Sequence, residues 1–283
     1  MISVLVTGAT GYVGGAVVRA LRARGHRVVG TTRTPAAGYV GATLEDPAGM
    51  VAAMSTVDAV VHTAFPGTAD GAAVETSAVT AMLAAAGDRP FLYTSGIGVV
   101  GPTGAEPVGE AGPLNPMPWL SWRRNLELAT LAAPHGLVVR PGLVYGRAGG
   151  LVLTALVGAA VATGVSAYVA PGTTAWPNIH VDDLGDLMAE VVTRAPASTV
   201  LHGVTGESTP KQVAEAIGRL VGNPLAVGLP LADARKRVPY AEWLTTHQRV
   251  GSSAAATLGW RPCRRNLLVD LEFGSYRDLL PTT

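Results

Sequence analysis

The chain has 283 residues, 48% of them hydrophobic and 14% charged, with a formal net charge of +1. That length can bury a large core, and that composition excludes disorder. The near-neutral charge, with only short basic pairs such as Arg123-Arg124, excludes the electrostatic footprint that nucleic acid requires. The single cysteine, Cys263, excludes an internal disulfide framework and a multi-cysteine zinc site, and no metal is expected. The chain starts on a strand-like run rather than a basic leader, and the apolar run at 151–165 is broken by Gly158 and Gly164. A soluble cytoplasmic protein that does not bind membranes is therefore expected.

In chain order, residues 2–7 read as a buried strand, 14–24 as a helix closed by Gly25, and 27–31 as a second strand. The alternation continues with a helix over 48–54, a strand over 58–64, a helix over 72–86 and a strand over 90–95. A Gly- and Pro-rich loop covers 96–118, a helix runs over 119–133 to Pro134, and a strand follows over 137–140. Beyond 145 the rhythm loosens into a small-residue helix and turns over 147–177. A short strand follows at 178–181, then a helix over 182–194 capped by Asp182 or Asp183, a strand over 200–204 and a helix over 209–221. Apolar strands alternating with helices predict an α/β fold, a Rossmann-like doubly wound parallel sheet with a smaller substrate-binding lobe. The expected organisation is a dinucleotide-binding core over 1–146 and a lobe insertion over 147–177. The chain then returns to the core over 178–204, and 205–283 supplies most of the lobe.

The segment Thr7-Gly8-Ala9-Thr10-Gly11-Tyr12-Val13-Gly14 lies between the first strand and the first helix. Gly8 permits the tight turn, Gly11 a close approach of backbone to pyrophosphate, and Gly14 close helix–strand packing. This context makes Gly8, Thr10, Gly11, Tyr12, Val13 and Gly14 a dinucleotide site. The second strand ends in Thr31-Thr32-Arg33-Thr34 with no carboxylate for ribose hydroxyls. Arg33 can pair with a 2′-phosphate while Thr32 and Thr34 add hydroxyls, so NADP(H) is the expected cofactor.

Further motifs follow at matching spacing: His62-Thr63-Ala64, YTSGIGVVG at 93–101, RPGLVYG at 140–146 and NIHVDDLGD at 178–186. Together with TGATGYVG they resemble the extended or atypical short-chain dehydrogenase/reductases of the NAD-dependent epimerase/dehydratase superfamily. The resemblance implies that Ala64 and Phe65 pass near the pyrophosphate or ribose, and that Pro141 and Val144 pass near the nicotinamide. It places Thr43 and Leu44 near adenine, where an Asp-Leu pair is usual, and Thr94 at the cofactor cleft. It also implies a homodimer through the helices at 72–86 and 119–133.

Proton transfer in that family uses a Tyr and a Lys four residues later, on one face of a helix. The only lysines here are Lys211 and Lys236, and Glu207 and Ala232 stand four residues before them. Alignment on PWLSWRRNLELA at 118–129 puts Trp119 in the tyrosine place and Arg123 in the lysine place. Gly96 then falls at the usual Ser/Thr place, beside Ser95. Arg123 can hold ribose hydroxyls, whereas the Trp119 indole can only donate, stack or orient. Tyr145 and His180 are the candidate substitute acids, and Ser95 a candidate donor. His62 lies in a strand-end motif and reads as structural.

Three functions remain open. The first is an NADP(H)-dependent reductase of a small, largely apolar ketone, enone or imine with non-standard proton donation. The second is a cofactor-supported epimerase, isomerase, lyase or cyclase. The third is a non-catalytic NADP(H)-binding regulator. Residues 147–170 contain Leu151, Val152, Leu153, Leu156 and Val157 and no Asp, Glu or Lys. An apolar small-molecule substrate is therefore expected rather than a sugar nucleotide.

Overall fold

A computed structural model describes residues 1–33, 38–236, 241–252, 254–264 and 266–281; Thr34, expected to assist Arg33, lies outside them. The first half of the chain alternates strand and helix. It runs β1 (Ser3–Thr7), α1 (Tyr12–Ala23), β2 (Arg27–Thr32), β3 (Tyr39–Gly41), α2 (Pro47–Ala53), β4 (Ala59–His62) and α3 (Gly71–Ala86). Then come β5 (Phe91–Thr94), α4 (Ser121–Ala132) and β6 (Gly136–Pro141). The second half comprises β7 (Leu143–Tyr145), α5 (Leu151–Thr163), β8 (Ser166–Val169), β9 (Trp176–His180), α6 (Val181–Arg194) and β10 (Thr199–Gly203). It ends with β11 (Gly206–Ser208), α7 (Pro210–Leu220), β12 (Ala226–Leu229), α8 (Leu231–Ala234), α9 (Ala254–Thr257) and α10 (Leu267–Phe273).

The main sheet has seven strands in the order β10-β6-β5-β4-β1-β2-β3, and every pairing in it is parallel. This is the expected doubly wound sheet, extended at one edge by β10. Alternate side chains of β1 serve the two faces. Val4 and Val6 join Val17, Leu21, Leu184 and Met188 beneath α1 and α6. Leu5 joins Met50, Met54, Val79, Met82 and Phe91 beneath α2 and α3. Each fully buried aliphatic side chain contributes about 1.5–3 kcal/mol. A third core holds Tyr145, Leu153, Trp176, Val213, Ile217, Leu271 and Tyr276. It is served by two small sheets, β11-β9-β7 and β12-β8. This is the smaller lobe over the strand ends. Among the described residues, no helix is long and apolar enough to cross a membrane.

Two local expectations are corrected. The helix over 119–133 is divided: Pro118–Leu120 forms a 3₁₀ turn and the α-helix begins at Ser121. Pro116 and Pro118 offer no backbone donor there, and Ser121 Oγ turns back to the Pro118 carbonyl at 2.8 Å. Trp119 and Arg123 therefore do not share a regular helix. At α6, the cap is neither Asp182 nor Asp183 but His180, whose Nδ1 accepts the Asp182 N–H at 3.1 Å. Asp182 and Asp183 occupy the first turn, where their charge complements the helix dipole.

A buried ion pair underpins α4. Arg140 on β6 donates Nε and Nη2 to Glu127, the latter at 2.7 Å, and both side chains are almost wholly enclosed. Arg140 Nη1 also reaches the Glu110 carbonyl at 3.3 Å and His202 Nε2 at 3.4 Å. His202 Nδ1 lies 2.9 Å from the Gly251 carbonyl. One guanidinium thus ties the 96–118 loop, α4, β6 and β10 together.

Candidate active site

Two clefts open at the carboxyl ends of the parallel strands, and Phe65 and Leu151 line both. The first has a volume of about 830 Å³. Its walls include Gly8, Thr10, Gly11, Tyr12, Val13, Gly14, Thr32, Arg33, Thr43, Leu44, Ala64 and Phe65, all expected at a dinucleotide, together with Glu45 and Met50. Gly8 has φ +65°, and a Cβ there would lie 3.0 Å from Ala64 Cα. A Cβ on Gly14 would lie 2.2 Å from the Gly8 carbonyl oxygen. The turn closes only with glycine at both places. Gly11 caps α1 without a side-chain hydrogen bond, and the first turn carries no acid. The N–H groups of that first turn have no intrahelical partner, which suits an anion at the cleft. The donor set fits the diphosphate of a dinucleotide, and Arg33 on the same wall fits a further phosphate.

The loop from Gly146 to Gly150, whose Gly150 lines this cleft, is pinned by residues far apart in the chain. Tyr12 O–H donates to the Gly146 carbonyl at 2.8 Å. Tyr276 O–H donates to the Gly149 carbonyl at 2.6 Å and accepts the Gly146 N–H at 3.1 Å. Ser275 Oγ accepts the Ala148 N–H at 2.9 Å.

The second cleft, of about 650 Å³, is lined by Ile97, Trp119, Leu120, Trp122, Pro141, Val152 and Trp243, with Arg123 and Glu242 as its charged groups. Of the residues expected at the cofactor, Arg123 and Pro141 line this cleft rather than the first. Thr94 and Val144 line neither; Val144 packs against the α1–α6 core, and the Thr94 carbonyl accepts from Arg123 at 3.3 Å.

Behind Arg123 lies a buried polar chain. Thr7 Oγ1 accepts the Thr63 and Ala64 N–H groups, each at 3.1 Å. Both its lone pairs are thus used, so its own proton goes to His62 Nδ1 at 3.0 Å. His62 therefore carries its proton on Nε2, which faces Glu75 Oε1 at 3.7 Å. Tyr93 O–H donates to the same oxygen at 3.0 Å, and Arg123 Nη2 lies 3.6 Å from Glu75 Oε2. Burial holds the Tyr93 phenol well above its ordinary range. His62, expected to be structural, is fully buried and lines neither cleft. Glu75 was missed in the sequence; its signal was that it is the one charged residue in the otherwise small and apolar α3.

Of the four catalytic candidates, Trp119 lines the second cleft and is 44% exposed. Ser95, Tyr145 and His180 are buried and line neither cleft. The expectation that Tyr145 faces the cleft is therefore corrected. β7 and β9 pair with Tyr145 beside His180, and the two rings meet edge to face at 5.3 Å within the lobe. Burial, with Asp183 and Asp270 nearby, pushes the Tyr145 phenol well above its ordinary range. Burial lowers the His180 imidazole and outweighs Asp182, and its Nδ1 already serves as the helix cap.

A known family, the NAD dependent epimerase/dehydratase family, matches residues 4–117. A 3-diazoavenalumate denitrifying reductase from Streptomyces sp is 31% identical, covering 92% of this chain and 95% of the relative. The chain belongs to the NAD dependent epimerase/dehydratase family. Another relative is a 2′-dehydrokanamycin reductase from Streptomyces kanamyceticus, 30% identical over 87% of this chain and 74% of its own length. Human epimerase family protein SDR39U1, solved with NADPH, shares the family fold. It has a TM-score of 0.78 at 23% identity, over 96% of this chain and 99% of that one.

Proposed function

We propose that this family member is an NADP(H)-dependent reductase of a small, largely apolar organic molecule. The observation that carries this reading is the pair of adjoining clefts. One combines an uncapped helix N-terminus with Arg33, and the other is walled by aromatic and aliphatic side chains. Arg33 takes the 2′-phosphate, the α1 turn takes the diphosphate, and the nicotinamide reaches toward Pro141, where the second cleft begins. The cofactor, when bound, supplies hydride; the chain supplies placement. Two relatives named as reductases, at 31% and 30% identity, support this reading, as does the NADPH in the human structure.

Trp119 orients the substrate, and the proton arrives from water at the open mouth. That route suits a conjugated acceptor, which needs no strong acid at the moment of hydride transfer. The outer faces of α3 and α4, with Leu128 55% exposed on the latter, form the surface of a homodimer.

A second reading has a specific basis in the family match itself: an epimerase- or dehydratase-type reaction in which the nicotinamide is reduced and reoxidised within one turnover. Spectrophotometry at the NADPH absorbance separates the two. A reductase consumes NADPH in proportion to product from enones, imines or ketones. Product formed with no net consumption establishes the second reading, and no consumption with any acceptor class overturns the first.

A further inference from the structure

The proposed function leaves the chemistry of the substrate open, and the second cleft narrows it. We propose that this cleft binds an organic carboxylate, its planar apolar body against the tryptophans and its carboxylate on Arg123. The proposal rests on reading this cleft as the substrate site.

Arg123 is held as a fixed cation. Its guanidinium carbon lies 5.0 Å from the centre of the Phe65 ring and 4.4 Å from that of Trp122. The two rings are themselves nearly parallel, 9° apart. Such seating locks the planar fork and leaves its charge intact. Its contacts behind are long: Tyr93 oxygen and the Thr94 carbonyl both at 3.3 Å, and Glu75 at 3.6 Å, beyond hydrogen-bond reach. A guanidinium has five N–H donors in a geometry that matches a carboxylate. The other charged group of the cleft, Glu242, is engaged by Arg235 at 2.6 Å. Arg123 is then the cation of this cleft, its side chain 14% exposed, with Glu75 as an ion-pair partner at 3.6 Å behind it and its remaining N–H donors left for a ligand. A carboxylate gives these donors a counter-charge on the cleft side, a neutral ligand gives them at most a neutral acceptor, and a cationic ligand is repelled. A carboxylate satisfies the fork, while Trp119, at 44% exposure, and Trp243 cover an apolar ring.

Isothermal titration calorimetry of the full-length protein, with and without NADP⁺, tests this using cinnamate, cinnamamide and cinnamylamine. Cinnamate is expected to bind about tenfold or more tighter than the amide, with the amine weakest. In Arg123→Gln that preference is expected to vanish. In Glu75→Gln the acid is expected to bind tighter, because the counter-charge behind Arg123 is removed while the Gln carbonyl still accepts from Tyr93. A purely structural role for Glu75 would instead weaken all three ligands alike. Equal binding of acid and amide, preference for the amine, or no binding of any of the three overturns the proposal. So does retention of the preference in Arg123→Gln, or weaker acid binding in Glu75→Gln. If Arg123→Gln does not fold, the wild-type series alone decides. A clear acid preference with no NADPH consumption by any acceptor leaves this site standing and removes the reductase reading. NADPH consumption without an acid preference does the reverse.

Discussion

The first and second clefts share Phe65 and Leu151 yet are made of different material. The first is largely backbone: a glycine turn, a bare helix N-terminus and the ends of consecutive strands. Its chemistry follows from main-chain geometry, which a short contiguous motif dictates. The second is side chain: Phe65 after β4, Ile97 after β5, Trp119 and Trp122 around the start of α4, Trp243 from the C-terminal lobe. Its chemistry depends on tertiary placement, as in the stack of Phe65, Trp122 and Arg123.

The contrast can be broken at several points. The largest effect is expected beneath the second cleft. Glu127→Ala leaves Arg140 buried without its partner and is expected to cost about 3–5 kcal/mol in urea unfolding. Next, Gly14→Val drives a Cβ to 2.2 Å from the Gly8 oxygen. NADPH affinity measured by fluorescence titration is expected to fall about a hundredfold or more, since backbone cannot yield cheaply. Arg33→Ala is expected to weaken NADPH about 10- to 100-fold and leave NADH unchanged, the loss of a charge-assisted contact. Equal losses for both cofactors would show that Arg33 does not read the 2′-phosphate.

Trp119→Ala is expected to raise the substrate KM about three- to tenfold, with the NADPH KM unchanged. A change in both would show that the clefts are not separable. The smallest effect concerns pH. Burial lowers His202 below its ordinary range and outweighs its bond to the Gly251 carbonyl. A lowered imidazole contributes stability that is present above about pH 6.5 and lost as pH falls through the folded value. Urea midpoints are expected to decline below that pH, and His202→Gln to flatten the decline.

The sheet, its alternating helices and the first cleft were legible because each rests on local pattern. The strand returned by 200–204 is β10, and twelve of the residues expected at the dinucleotide line one cleft. The misplacements all concern direction. Tyr145 lies at the expected end of the sheet, but pairing between β7 and β9 turns its ring toward His180. Trp119 reaches the cleft from a 3₁₀ turn that the prolines impose rather than from a helix face. Glu75 acquires meaning only once α3 brings it to Arg123, a residue far along the chain on another helix. No local spacing encodes such a meeting.

The pinned loop at 146–150 puts two distant parts of the chain in mechanical series. Tyr12 grips it from the nucleotide turn and Tyr276 from the last described turn. Loosening one grip must lower the work of opening the other. Amide exchange at Gly146 and Ala148 is therefore expected to quicken in Tyr276→Phe and to slow when NADPH binds. The segment around Tyr276 would then report, by its stiffness, whether the nucleotide pocket is filled.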